Sequence, residues 1–449
     1  MTRLSALVRD SMARLQVPGA ALGVWHRNQA STAAFGIPNA DHPLPVDETT
    51  LFHAGSISKT FAATAVMQLV EQGKLALEER VRTYLPEFRL QDEDAAERAT
   101  LLNCLNHTGG WVGDYFRDTG KGDDAIERIV AKMAKSPQLT PLGATWSYNN
   151  AGFYVAGRVM EVVTGQPFET VVRDTVFRPL GMNRTYFHND DLITYRVASG
   201  HIVTEDGPKV ARPWAMFRST SPAGGVVTCM ADLLRYARFH LGDGRAEDGT
   251  RTLAAASLAA MQSPTTEAGC FADATGIAWQ LRDIAGVRTV QHGGSTNGQQ
   301  ASLILVPSHD FAIGVLTNAD RGRQLHRAVT AATLDQLLGL REPPPALLTC
   351  EEGSLSEYAG KYSAVLSDLE ITANGGLVLE ELRSADRAVG DQALRPLPVP
   401  PVRLGFTAPG RVVALDVPSE GDRGEFIRGP GGDIEWFRWG GRIARRQTP

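Results

Sequence analysis

Residues 51–73 constrain this chain more than any other stretch. They read as a short extended entry, a tight turn at Gly55, and a helix that starts near Ser56 and stops at Gly73. At about 100° per residue, Thr60, Thr64, Gln68 and Glu71 form one polar stripe, while Ile57, Phe61, Ala62, Ala65, Val66, Leu69 and Val70 cover most of the remainder. Such a helix is largely buried. Lys59 lies within roughly 20° of Val66 and Val70, on an apolar face. An amine there is costly unless it finds partners or gives up its proton. Ser56 is one turn earlier, so hydroxyl and amine project close together. Two readings follow from these residues alone: a serine nucleophile with an amine beside it, or a capping serine with a lysine that snorkels outward.

Lysine is scarce here, seven of the 45 Lys and Arg residues, which makes the placement of Lys59 harder to treat as accident. The formal net charge of −5 and the lack of a Lys/Arg run argue against a nucleic-acid partner. Cys104, Cys229, Cys270 and Cys350 are scattered without metal-ligand spacing and read as reduced, buried thiols. His188 with Asp190 and Asp191 is too loose a set for a metal, and His107, His201 and His240 read as structural. No metal or cofactor is expected. The N-terminal residues carry charges where a signal peptide needs an apolar core, and no run of about 18 apolar residues exists. The expectation is a cytoplasmic protein with no membrane partner, with self-association left open.

Taken in order, an amphipathic helix over 2–15 is followed by a hairpin of two strands, 20–26 and 31–36. After the central helix, the pattern predicts helices over 75–85 and 92–105, then a helical insert with long loops to about 275. Within it, Tyr148-Asn149-Asn150 precedes a helix running to Gly165, where Asn150 has a plain role available as N-cap. Strand signals return over 275–281, 287–290, 301–306 and 311–317, and a helix covers 324–338. The summary is helix, two strands, helical insert, the returning strands, helix: an α/β (α+β) antiparallel sheet with the terminal helices on one face. Residues 342–350 form a Pro-rich linker between a unit over 1–341 and one over 351–449. The latter has short alternating runs and Gly turns, and reads as an antiparallel β-barrel or sandwich.

Ser56-Ile57-Ser58-Lys59, Tyr148-Asn149-Asn150 and His292-Gly293-Gly294 stand in an order that resembles the three signature elements of the penicillin-recognising serine hydrolases, Ser-x-x-Lys, Tyr-x-Asn and Lys-Thr-Gly or His-x-Gly. The resemblance is to the class C β-lactamase, D-aminopeptidase and esterase branch, and it covers roughly residues 1–340. Phe52-His53-Ala54-Gly55, Asn106-His107-Thr108-Gly109-Gly110 and Ala223-Gly224-Gly225 support it. It implies a β-lactamase/transpeptidase-like fold and an acyl-enzyme on Ser56. Lys59, alone or paired with Tyr148, would take the serine proton, and Tyr148 would pass it to the leaving group. Asn150 would hold the lysine or a substrate amide. The oxyanion hole would be the backbone N–H groups of Ser56 and Ser295, with Gly293 and Gly294 keeping that strand open. His292 stands where β-lactamases usually carry lysine, and a neutral histidine is a weaker carboxylate anchor. The C-terminal unit resembles the lipocalin-like barrel of some D-aminopeptidase-type relatives and of peptide-cyclising thioesterases.

The chain lacks Gly-x-Ser-x-Gly, which removes the α/β-hydrolase alternative. Three functions remain open: a serine hydrolase of small peptides, amides (D-residues included) or carboxylic esters; a thioesterase-like transacylase or peptide cyclase; and a non-catalytic binder of peptidoglycan-like peptides.

Overall fold

The computed structural model describes residues 2–214, 216–349, 355–382 and 397–447. Its centre is a seven-stranded antiparallel sheet. Helix α1 (Thr2–Leu15) leads into the hairpin β1 (Gly19–His26) and β2 (Gln29–Gly36). β1 lies beside the last strand of the sheet, Phe311–Thr317, in register from Ala20↔Thr317 to His26↔Phe311. From β2 the order runs through β1, Phe311–Thr317, Gln299–Val306, Val287–Thr296, Gln280–Ile284 and Ala274–Thr275.

Both faces of the sheet are covered. On one, Leu4 and Val8 of α1 and Leu325 and Val329 of the Gly322–Leu338 helix pack on Leu22, Ile313 and Val315. On the other, α2 (Ser58–Glu71) and the Met230–Leu241 helix bury Phe61, Val66, Leu69 and Leu233 against Ala21, Leu303 and Leu316. Gly23 pairs with Gly314 across two strands. A Cβ at Gly23 would stand 2.5 Å from the Met230 sulfur. The absent side chains let that helix approach the sheet.

Three sequence expectations need correction. Residues 75–85 are not one helix: only Val81–Tyr84 is helical. The backbone of Leu77 and Glu79 instead accepts hydrogen bonds from Leu102 and Leu101, so this stretch turns against the start of the Leu101–Leu105 helix, and Leu75, Val81 and Leu85 are buried. The 92–105 helix is two, Glu93–Arg98 and Leu101–Leu105, because Thr100 and Asn103 form a reciprocal capping box that starts the second afresh. The returning strands number five, and the one expected over 287–290 continues to Thr296, taking in His292, Gly293 and Gly294. The insert also holds a hairpin, His201–Thr204 with Gly207–Val210, and a small three-stranded sheet.

Helix α2 begins at Ser58, after a 3-10 turn over Gly55–Ile57. Even its polar stripe is buried at Thr60, Thr64 and Gln68. Thr64 bonds Tyr236 and His240, and Gln68 reaches the carbonyls of Thr175 and Thr252.

Residues 342–349 carry no helix or strand. Beyond them, eight antiparallel strands from Gly360–Ser363 to Arg442–Arg446 close on themselves as a barrel around Tyr362, Ile371, Leu379 and Phe437. Cys104, Cys229 and Cys270 are free and buried; Cys350 lies outside the described residues. Among the described residues no helix is long and apolar enough to cross a membrane.

Candidate active site

The serine turn is fixed by two close approaches of backbone. Phe52–His53 pairs with Val227–Thr228, delivering the chain to Gly55, whose φ of +52° suits a residue without Cβ. A Cβ at Gly55 would meet the Ser295 nitrogen at 2.7 Å, and one at Gly294 would meet the Ala54 carbonyl oxygen at 1.9 Å and the Ser56 nitrogen at 3.2 Å. The serine turn and the Val287–Thr296 strand are therefore pressed together, with the Ser295 nitrogen close to Gly55 and the Ser56 nitrogen close to Gly294. Gly293 has open space at its Cβ position, with nothing nearer than 3.7 Å. The Gln280–Ile284 strand pairs with its neighbour only as far as Gln291, which leaves 292–296 without a strand on that side among the described residues.

Lys59 is fully buried. Its Nζ lies 3.1 Å from Ser56 Oγ and donates to the Ala223 carbonyl at 2.7 Å. The rings of Tyr148 and Phe153 stand 5.0 and 5.5 Å from it. Among the described residues no carboxylate comes within ion-pair distance. Burial holds its pKa well below the ordinary 10.5, the Arg442 charge adds to that, and Asp114 opposes it.

Tyr148 is buried, its ring 5.0 Å from the Nζ that meets Ser56; burial pushes its pKa up, and the Ser56 hydroxyl opposes that shift. His107 stacks on its ring at 4.5 Å, while His107 Nδ1 accepts from the Asn149 amide at 3.0 Å. That acceptance requires a neutral ring, and burial followed by the Lys59 charge holds the His107 pKa well below 6.5. Asn150 stands at the N-cap position of the Ala151–Thr164 helix, but its side chain does not cap it. Instead Nδ2 donates to Asp114 Oδ1 at 2.8 Å.

Asp114 and Arg442 were not foreseen from the sequence. The Arg442 guanidinium grips Asp114 with two hydrogen bonds, 2.6 and 3.0 Å, and its carbon stands 5.0 Å from the centre of the Tyr148 ring. Arg442 belongs to the last hairpin of the barrel. That hairpin also receives the Tyr148 amide on the Gly441 carbonyl at 2.8 Å, and Arg438 donates to the Trp146 carbonyl at 3.0 Å. The barrel thus holds the loop that carries Tyr148. No local pattern around Asp114 signals this, and the Gly440-Gly441-Arg442 turn is indistinguishable in sequence from an ordinary hairpin.

His292 is buried, its ring centre 6.2 Å from that of Tyr148. Nδ1 lies 2.6 Å from the Gly293 carbonyl oxygen. Burial, with the Lys59 charge second, pulls its pKa down to about 3, so the ring is neutral. Ser295 Oγ accepts from Gln300 Nε2 at 2.9 Å. The structure thus brings Ser56, Lys59, Tyr148, Asn150, His292, Gly293, Gly294 and Ser295 to one place. A separate cleft of about 360 Å³ between Trp25, Arg238 and Asp310 contains none of them. Its polar groups satisfy one another, Arg238 pairing with Glu247 at 3.2 Å and Trp25 with Asp310 at 2.9 Å. Among the described residues no group of three His, Cys, Asp or Glu side chains is placed to hold a metal ion.

A helix-flanked antiparallel sheet with a serine turn at the start of its buried central helix defines a class, the active-site-serine hydrolases that work through an acyl-enzyme. Residues 4–338 match the family model described as Beta-lactamase, and the chain belongs to that family. Penicillin-binding protein 4 of Amycolatopsis lactamdurans is 37% identical over 342 residues, which is 74% of this chain and 89% of that protein. The unguisins hydrolase ungD' of Aspergillus campestris is 27% identical over 331 residues, 70% of this chain and 60% of its own length. Among solved structures, SurE superposes with a TM-score of 0.76 at 25% identity over 99% of both chains, and a second structure of SurE contains D-Leu. A class C β-lactamase shares the fold at a TM-score of 0.65 and 23% identity, covering 74% of this chain and 95% of its own.

Proposed function

We propose that the protein cleaves small peptides or amides, D-residues included, or carboxylic esters, through an acyl-enzyme on Ser56. The observation that carries this is the Ser56–Lys59–Tyr148 cluster: a buried amine 3.1 Å from the serine oxygen, with the Tyr148 ring 5.0 Å from the same amine. The opposed pKa directions divide the labour. Lys59, pushed down, is the base, and Tyr148, pushed up, stays protonated and is the acid. Ser56 Oγ bonds to the acyl carbon as its proton passes to Lys59. The bond to the leaving group then breaks, and Tyr148 supplies that group with a proton, recovering one from Lys59. The amides of Ser56 and Ser295 face the developing oxyanion, with the N-terminal end of α2 behind them. Asn150 and Asp114 position Tyr148 through Arg442. The full-length likeness to SurE, solved with D-Leu, supports a D-residue in the substrate.

Transfer of the acyl group to an amine, including closure of a peptide ring, shares every step up to the acyl-enzyme. It is favoured by the neutral His292 in the place of a cation. We assign residues 342–350 as the linker between the hydrolase unit and the barrel.

Intact-protein mass spectrometry with p-nitrophenyl esters, D- and L-alanine amides, a peptidyl thioester and a penicillin tests the reading. An adduct on the wild type and none on Ser56→Ala is expected. Full turnover by Ser56→Ala refutes it, and tight binding of donors with no adduct transfers the weight to a non-catalytic binder.

A further inference from the structure

His292 carries a lone pair with nothing to receive. A carbonyl oxygen accepts and does not donate, so at 2.6 Å from the Gly293 oxygen the proton of the neutral ring sits on Nδ1. Nε2 is then the acceptor, and it is buried without a hydrogen-bond partner among the described residues. A buried acceptor left unmet is costly, so the site is built for a donor that arrives. The neighbouring amine of Lys59 is engaged with Ser56 and the Ala223 carbonyl. The nearby guanidinium of Arg442 is held by both oxygens of Asp114. The site therefore offers a lone pair on this side and no free cation among the described residues.

We infer that His292 Nε2 accepts a hydrogen bond from an N–H of the leaving or entering group, so that this group is an amine or amide and carries no free carboxylate at that place. The inference rests on Ser56 being the nucleophile. Its position follows from Tyr148: the group that exchanges a proton with Tyr148 must lie beside that ring, and His292 is beside it too. A carboxylate there would face a lone pair and lose its hydration without compensation. The substrate is thus a peptide that continues past the reacting bond or ends in an amide, and the acyl acceptor is an amine. Removal of a single C-terminal amino acid bearing its carboxylate is disfavoured. In the transfer step the amine nitrogen bonds to the acyl carbon of the Ser56 ester and the bond from that carbon to Oγ breaks. One amine proton returns to Oγ through Tyr148, while a second stays on nitrogen, held by Nε2.

The test compares kcat/KM for two acyl donors that differ only in a C-terminal carboxamide or carboxylate on the leaving group, with wild type, His292→Gln and His292→Lys. A p-nitrophenyl ester with no such group reports on Ser56 alone. The wild type is expected to prefer the carboxamide by about tenfold or more, His292→Gln to keep that preference, and His292→Lys to lower or invert it. A wild-type preference for the carboxylate overturns the inference, as does a ratio untouched by His292→Lys while the ester still acylates Ser56. Nitrogen-15 NMR of the wild-type ring provides a readout that needs no variant to fold: Nε2 is expected to be the unprotonated nitrogen, and an unprotonated Nδ1 overturns the inference. An ester that leaves no adduct on Ser56 overturns the reading on which it rests.

Discussion

Replacing Arg442 with methionine keeps the length of the side chain and removes its charge. Asp114 is left almost wholly buried, at 7% exposure, with the Asn150 amide as its remaining donor. Breaking a buried ion pair by removing one partner costs about 3–5 kcal/mol. Arg442 is itself 33% exposed, so water reaches part of the vacated space. We therefore expect a loss nearer 2–3 kcal/mol, less than two charged hydrogen bonds at full strength. The second effect is on Lys59. Burial and Arg442 depress its pKa and Asp114 raises it, so removing the guanidinium takes away one depressing influence while the raising one stays. Lys59 then holds its proton to higher pH, and the acid limb of the kcat/KM profile moves to higher pH. Urea unfolding and a pH–rate profile on a p-nitrophenyl ester measure the two effects. Adding Asp114→Asn is expected to restore most of the stability and to move the acid limb back, because the orphaned carboxylate is gone. An Arg442→Met protein with unchanged stability and an unmoved acid limb refutes the argument.

Lys59→Met is expected to lower kcat by at least about a thousandfold. It also removes a pH dependence of stability: with a folded pKa below 10.5, the unfolded chain binds the extra proton between the two values, so wild-type stability rises with pH through that window and the variant's does not. Gly294→Ala forces a Cβ to 1.9 Å from the Ala54 oxygen, parting the Ser56 and Ser295 amides, and is expected to cost about a hundredfold or more in kcat. Gly293→Ala, with 3.7 Å of room, is expected to fold as the wild type does, which melting curves will show. Tyr148→Phe is expected to slow acylation by amides far more than by p-nitrophenyl esters, whose leaving group needs no proton; equal losses on both would refute the assignment of Tyr148 as acid.

The parts of the site legible in sequence were those with a local cause. The phase of a helix places Lys59 beside Ser56 on a buried face, whereas the joining of that turn to Tyr148 and to the His292-Gly293-Gly294 strand was implied only by the family resemblance. Asp114 and Arg442 have no such cause. They lie 328 residues apart and meet only because a barrel docks on the loop before Tyr148. The same limit explains the helix expected over 75–85. Its apolar spacing is helical, yet its carbonyls accept from Leu101 and Leu102, a choice set by what lies alongside. Gly293 and Gly294 look like a strand end, but the Gln299–Val306 strand pairs with them and carries the ladder on to Thr296. Asn150, available as a cap and expected from the resemblance to hold the lysine or a substrate amide, bonds Asp114, while Lys59 bonds Ser56 and Ala223.

The hydrogen bond from the Tyr148 amide to the Gly441 carbonyl also has a consequence in time. Ribosomes make proteins from the N-terminus, and early units fold while later ones are still being assembled. Residues 4–338 are those that match the family model, yet the loop bearing Tyr148 lacks its tether until a hairpin about a hundred residues further on has emerged and the barrel has closed. At roughly 5–20 residues per second that interval is on the order of 5–20 s. For that time the nascent chain holds a buried amine next to a serine without the finished loop that completes them. The last hairpin to be made thus acts as a seal of completion: a chain truncated by early termination or by a protease between 342 and 440 keeps its serine but loses the clasp on Tyr148.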